Sequence, residues 1–391
     1  MKPMKPLLIT LTIFSMCSGC THSNNSFDND LAFLQKHDSV IVLKSGSSMV
    51  IVSPKYQAKV FTSTADGSTS FGWINYKAFD GAPDLHMNAY GGENRLWLGP
   101  EGGKFSLFFP KDAKMEFANW KTPAPFDTDP WTVSYKSDSA ATLQKKMELV
   151  NYAGSTFKLT VDRTIYILGR SRIDSMLGLQ ENTGVAAVGY QTENILTNTG
   201  AAPWDSITGM PCIWILDMFN PSDHTTIVIP YNADPKPATT NYFGEIAADR
   251  IKYENSVLFF KADGKSRGKL GIHPGAAKNI AGSYDAIARV LTLTLFDVDN
   301  TAKYLNQEWN TTKEPFSGDA VNAYNDGPLA TGGQLGPFYE LESVSPPAFL
   351  KPGESMAHHH SVFHFTGDEK GLNEIAVKIL GVSLEQIKNK F

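Results

Sequence analysis

The segment from Ala141 to Leu168 constrains the fold more than any other. Phe157, Leu159, Val161, Ile165 and Ile167 alternate with Lys158, Thr160, Asp162, Thr164 and Tyr166. Successive side chains of a strand point to opposite faces, so this is a long strand with one face in a core. With the run before it, it reads as a β-hairpin. Arg163 interrupts the apolar face and is expected to pair with an acid at the sheet's end. A hairpin of this length needs more strands and a second layer to bury that face.

Other segments supply them. Val40–Leu43 and Met49–Val52 flank a Gly/Ser turn and read as a second hairpin. Lys59–Thr62 and Phe71–Tyr76 continue it across Asp66-Gly67. Further strands are expected at Val185–Asn198, Ile213–Met218, Thr225–Pro230, Val257–Lys261, Lys269–Ile272 and Val290–Asp297. The 32 glycines and 22 prolines suit many tight turns. Helical periodicity is convincing only in Leu372–Leu380 and Leu384–Phe391. No linker or short repeat interrupts residues 40–391, which read as one all-β, antiparallel domain with a C-terminal helical tail. Its strands must stack as two broad sheets or close on themselves.

The N-terminus has another logic. Lys2 and Lys5 precede the apolar run Leu7–Met16, too short to span a bilayer. Cys17-Ser18-Gly19-Cys20 then reads as a lipobox: residues 1–19 form a lipoprotein signal peptide, and Cys20 is lipidated. Residues 20–39 are a tether, with a short helix at Leu31–His37. The protein is expected on a bacterial membrane, on the periplasmic or cell-surface side. Cys212, in an apolar run, reads as a small core residue. The net charge of −5 comes without any basic run, which argues against nucleic acid as a partner. No Walker A or GxGxxG occurs, so no nucleotide cofactor is expected. Gly264-Lys-Ser-Arg-Gly268 matches G-x-S-x-G but lies between two β runs and reads as a polar turn.

Candidate chemistry gathers near the C-terminus. Glu340 and Glu342 sit two apart and share a strand face. Like charges so close raise one pKa, which suits a general acid or base; alternatively each pairs with an arginine such as Arg95 or Arg163. His358, His360 and His364 share one side of a strand and His359 takes the other. They suit a metal site, a polar sugar site, a general acid or a solvated edge, and no complete metal-ligand spacing accompanies them. Two Gly-Gly pairs bracket Glu93–Glu101, a non-periodic polar and aromatic stretch of the kind that carries function. Trp97, Trp131 and Trp309, each beside a polar residue, suit stacking on sugar rings, whereas Trp214 reads as core.

Glu342, Pro346, Ala348 and the Leu350-Lys-Pro-Gly-Glu354 turn together resemble the C-terminal signature of the aldose 1-epimerase, or galactose mutarotase-like, superfamily. The resemblance implies a β-supersandwich and an isomerase-type activity with Glu342 as general base. Gly91-Gly92-Glu93-Asn94-Arg95 is similar to that superfamily's sugar-contact loop. Sugar-contact candidates are thus Asn94, Arg95, Trp97, Glu101, Glu340, Asn325 and Asp326. The mid-chain histidine that serves such enzymes as acid has no counterpart in Ile195–Ala201, which leaves His86, His358 or His360 for that role. Without an acid the chain binds a mono- or oligosaccharide and does not turn it over, as a lipoprotein of a polysaccharide-uptake system would. Metal-dependent glycan cleavage is a third reading. The chain also resembles uncharacterised Bacteroidetes lipoproteins through GGENRLWLGPEGG, NAYNDGP and GPFYELE.

Overall fold

A computed structural model describes residues 26–180, 184–329 and 332–391. The expected signal peptide at residues 1–19 and the expected lipidation at Cys20 lie outside the described residues.

Two large antiparallel sheets dominate. The six-stranded sheet runs Ala238–Thr239, Gly268–Ile272, Val321–Asn325, Tyr339–Val344, Cys212–Phe219, Arg95–Gly99. The ten-stranded sheet runs Ile251–Glu254, Val257–Lys261, Thr225–Pro230, Ile280–Asp285, Val290–Phe296, Ser355–Gly367, Val185–Asn198, Thr156–Ile167, Ala140–Val150, Thr132–Lys136. The all-β, antiparallel expectation holds. The opening hairpin pairs Ala140–Val150 with Thr156–Ile167 over its full length.

The sheets face one another. Val161, Ile165, Leu196 and Val362 of the larger join Ile213, Ile215, Leu341 and Ala323 of the smaller in one buried cluster. At about 25 cal/mol per Å², burial of such side chains is the main term holding the layers together. The far side of the larger sheet is apolar too, through Leu291, Leu293, Phe363 and Phe365, and the helices Arg170–Leu177, Glu369–Leu380 and Leu384–Lys388 cover it. Asp368 caps the second of these by accepting from the Gly371 N–H at 2.8 Å, and Gly381 ends it at φ +74°.

Two expectations need correction. The short helix expected at Leu31–His37 lies earlier, at Phe27–Leu34, and is docked rather than part of a free tether: Phe27 and Leu34 are buried with Tyr56 and with Ile51 and Phe61 of the N-terminal three-stranded sheet. Its two apolar anchors are enough to dock a helix this short. Phe71–Tyr76 forms no strand but makes isolated bridges, Gly72 to Phe219 and Ile74 to Gly91. A Cβ on Gly72 would lie 2.2 Å from the Phe61 carbonyl oxygen, so backbones meet there closely rather than in a regular ladder.

Candidate functional site

The smaller sheet aims one set of side chains into its core and the other away from the larger sheet. Ser343 faces inward, because its hydroxyl meets His358 Nε2 and His360 Nδ1, both at 2.8 Å, on the opposing sheet. Glu342 and Glu340, one and three residues before Ser343 in the alternation, therefore face outward. Register carries the same face across the neighbouring strands: Glu340 stands opposite Tyr324 and Met218, Lys269 opposite Tyr324, Glu342 and Arg95 opposite Leu216, and Trp97 opposite Trp214. On that face lies a cavity of about 170 Å³, walled by Trp97, Trp120, Trp214 and Trp309, with His86 and Glu101 also in its lining.

The charges are arranged in pairs. Arg95 donates a hydrogen bond from its guanidinium to Glu340 Oε1. Lys269 Nζ lies 3.0 Å from Glu342 Oε2, which also accepts from the Trp214 indole N–H at 2.8 Å. Burial pushes the Glu340 carboxyl up to about 8; Arg95 opposes this and the Glu342 charge adds to it. Like-charge repulsion was the expected cause, and burial outweighs it. Burial likewise raises Glu101, with Lys269 pulling the other way. Arg95 Nε, Trp120 Nε1 and Glu342 Oε1 are buried with no hydrogen-bond partner among the described residues. Buried polar atoms are normally satisfied, so two such donors in the lining and an acceptor just behind it make this cavity a candidate ligand site.

Of the sequence candidates, the structure brings Arg95, Trp97, Glu101, Glu340 and His86 to the cavity lining. Glu342 lies one layer behind, fully buried, screened by Lys269 and Trp214. His86 Nδ1 sits 2.6 Å from the Trp120 carbonyl oxygen, so that nitrogen donates and Nε2 is left as an acceptor in the neutral ring.

The other candidates lie elsewhere. His358 and His360 are sealed between the sheets, where His360 Nε2 meets Asp217 Oδ2 at 2.7 Å, and burial drives His358 down to about 3. As acids for the cavity they are excluded by the alternation: they contact the inward Ser343, across the sheet from Glu340. His364 meets Thr292 and Glu93, and His359, on the other side as expected, meets Asp297 and Glu193. With these nitrogens engaged, and no three His, Cys, Asp or Glu side chains converging among the described residues, the metal reading of this run has no geometric support. Asn94 also points inward, to Asp217 and Arg163, because it precedes Arg95 in the alternation. Arg163 itself finds no acid among the described residues; it donates to the Ala58 carbonyl, Asn194 and Asn94. Asn325 and Asp326 do not line the cavity. Asn325 holds the 263–267 loop, and Asp326 accepts from the Tyr324 hydroxyl and the Gly336 N–H. Trp131 is buried, its indole donating to the Pro125 carbonyl.

The sequence does not single out Lys269, Arg267, Tyr324 or Phe243, and it reads Trp214 as core. The only signal for Lys269 was its polar position in an otherwise apolar strand.

The chain belongs to DUF6786, a family of unknown function. The family's model matches residues 25–391. A search of curated proteins returns no match. Among solved structures, a putative aldose 1-epimerase from Escherichia coli K12 superposes with a TM-score of 0.53 at 13% identity, over 83% of this chain and 98% of that one. A galactose mutarotase-like protein from Lactobacillus casei superposes with a TM-score of 0.46 at 13% identity, over 83% of this chain and 100% of that one. The fold of this DUF6786 member is galactose mutarotase-like.

Proposed function

We propose that the tryptophan-walled cleft binds a saccharide and that its two carboxyls interconvert the anomers of an aldose. The observation that carries this reading is the pair Glu340 and Glu342 on one strand face in different environments: burial raises the Glu340 carboxyl to about 8, and Glu342 is held by Lys269 and Trp214. Burial keeps Glu340 protonated at neutral pH, fit to donate to the ring oxygen. Lys269 and Trp214 balance the charge of Glu342, and its free Oε1 is the acceptor for the anomeric hydroxyl proton. Removal of that proton with protonation of the ring oxygen opens the ring to the aldehyde. Rotation about C1–C2 and the reverse transfers close it to either anomer, and each carboxyl returns to its starting state. The tryptophan rings offer apolar faces to sugar C–H groups, and Trp120 Nε1, Arg95 Nε and His86 Nε2 offer hydrogen bonds to hydroxyls.

The test is polarimetry or proton NMR on freshly dissolved pure anomers. Wild type accelerates equilibration, and Glu342→Gln and Glu340→Gln each reduce the catalysed rate by 10²-fold or more, as loss of an acid or base does. Full activity in Glu342→Gln rejects its role as base. The screening of Glu342 by Lys269 and Trp214 favours a second reading, saccharide binding without turnover. Binding by wild type with uncatalysed anomer exchange establishes that reading instead.

The proposal extends to the N-terminus, where the charge–apolar–lipobox order supports lipidation at Cys20 and attachment to a bacterial membrane. Cys20→Ala should move the protein from the membrane to the soluble fraction; unchanged membrane association rejects the anchor.

A further inference from the structure

Three Lys and Arg side chains line the cleft, and two have a carboxyl partner within the protein: Arg95 in Glu340 and Lys269 in Glu342. The third, Arg267, has no carboxylate within ion-pairing distance among the described residues. Its guanidinium lies over the Phe243 ring, 3.8 Å from the centroid, and both residues line the cavity. Stacking leaves the edge N–H groups of a guanidinium free while fixing its plane.

The backbone that carries Arg267 is also held. Asn325 accepts from the Gly264 N–H at 2.9 Å and donates to the Ser266 carbonyl at 2.8 Å; Gln334 donates to the Gly264 carbonyl at 2.9 Å. Gly327 presses so close that a Cβ there would lie 2.4 Å from the Arg267 nitrogen. A surface arginine with no role needs no such scaffold. Asn325 thus acts on the site at one remove, by positioning this loop.

We infer that the saccharide taken by this cleft is anionic and that Arg267 determines that specificity by receiving its oxyanion. This rests on the saccharide reading above and narrows it. One guanidinium edge without a carboxyl partner in ion-pairing range receives one oxyanion group: the carboxylate of a uronic acid or the sulfate of a sugar ester. The planar, two-pronged donor edge suits either.

The experiment is calorimetric titration of the full chain with D-glucuronate, D-galacturonate and D-glucose 6-sulfate against D-glucose and D-galactose, in wild type, Arg267→Ala and Arg267→Lys. At least one acidic sugar should bind about 10–100-fold more tightly than its neutral parent, the range expected for a charge-assisted pair. Arg267→Ala should bring that ratio close to one while the neutral sugar's affinity stays within about threefold. Arg267→Lys, which keeps the charge and loses the fork, should fall between. Whether uronates or the sulfate show the preference identifies the source of the oxyanion. Arg267 is exposed enough for either replacement to leave the core intact, which an unchanged melting curve verifies. Equal binding of acidic and neutral sugars, or a preference that survives Arg267→Ala, overturns the inference and leaves the saccharide reading standing. Failure of every sugar to bind overturns both.

Discussion

Replacing Lys269 by Met tests the electrostatics of the site. The Lys269 and Glu342 side chains are 6% and 0% exposed, and their charges are 3.0 Å apart. At an effective dielectric constant of about 20, two unit charges at that separation attract by about 5 kcal/mol. Desolvation offsets most of this in the intact pair, so the pair's net worth is small, but removing one partner strands the other. Glu342 would keep one donor, the Trp214 indole, and lose its counter-charge. The expected loss is about 3–5 kcal/mol at neutral pH. Methionine fills much of the lysine stem's volume, so a cavity contributes little. The double variant Lys269→Met/Glu342→Gln removes the stranded charge and should recover most of the loss. The sign with pH follows: once the ammonium is gone, the buried carboxyl gains by taking up a proton, so the single variant's deficit shrinks as pH falls. The assay is urea denaturation at several pH values, with an unchanged m-value as the check that the same transition is compared. A single variant as stable as wild type, or a double variant no better than the single, would falsify the claim that this pair is a desolvated unit.

Glu340 predicts a pH dependence of its own. Its folded value, about 8, lies above the ordinary 4.5, so the folded state holds a proton that the unfolded state releases between them. Its contribution to stability is complete below about 4.5 and is lost as pH rises through about 8, and Glu340→Gln should flatten that part of the stability–pH curve. The catalysed anomer exchange should decline over the same alkaline range. Ser343→Val removes the hydroxyl shared by His358 and His360 and should cost about 2–4 kcal/mol in denaturation, since each buried imidazole loses a partner. Gly102→Ala would place a Cβ 2.2 Å from the Glu308 carbonyl oxygen and displace the segment bearing Trp309. Titration should show sugar binding weakened at least tenfold, with the melting temperature reduced; wild-type affinity would mean that this wall does not contact the ligand.

Strand positions are readable in the sequence in two ways: burial on one face leaves a period of two, as in Val185–Asn198, and burial on both faces leaves a short apolar run, as in Thr225–Pro230 and Val257–Lys261. Strand order was not readable, because pairing depends on partners far away in the chain. Arg163 shows the consequence. From its own strand it called for an acid, but its register opposite Asn194 supplies an amide, and Asn94 and Ala58 complete the set. The histidine run shows the same limit at the next level. Its alternation was evident, yet nothing local says that Ser355–Gly367 belongs to the ten-stranded sheet and turns His358 and His360 away from the cleft. Lys269 reaches Glu342 only because Val321–Asn325 lies between their strands, a juxtaposition of sheet order rather than of sequence.

The strand Tyr339–Val344 joins these two limits. Its even-numbered carboxyls stand under the cleft while Ser343, one residue away, ties the sheet to His358 and His360. Both faces are polar, so this strand is not a simple wall between core and solvent. The inner layer, with His360 on Asp217 and Asn94 on Asp217 and Arg163, fixes the strand's height and register from behind. Buried polar networks of this kind demand one geometry, since any slip leaves several groups unsatisfied at once. A one-residue slip would also exchange Glu342 for Ser343 in the cleft. The histidines therefore bear on the site through the register they enforce, and a group that holds register needs neither to reach the ligand nor to exchange a proton with it.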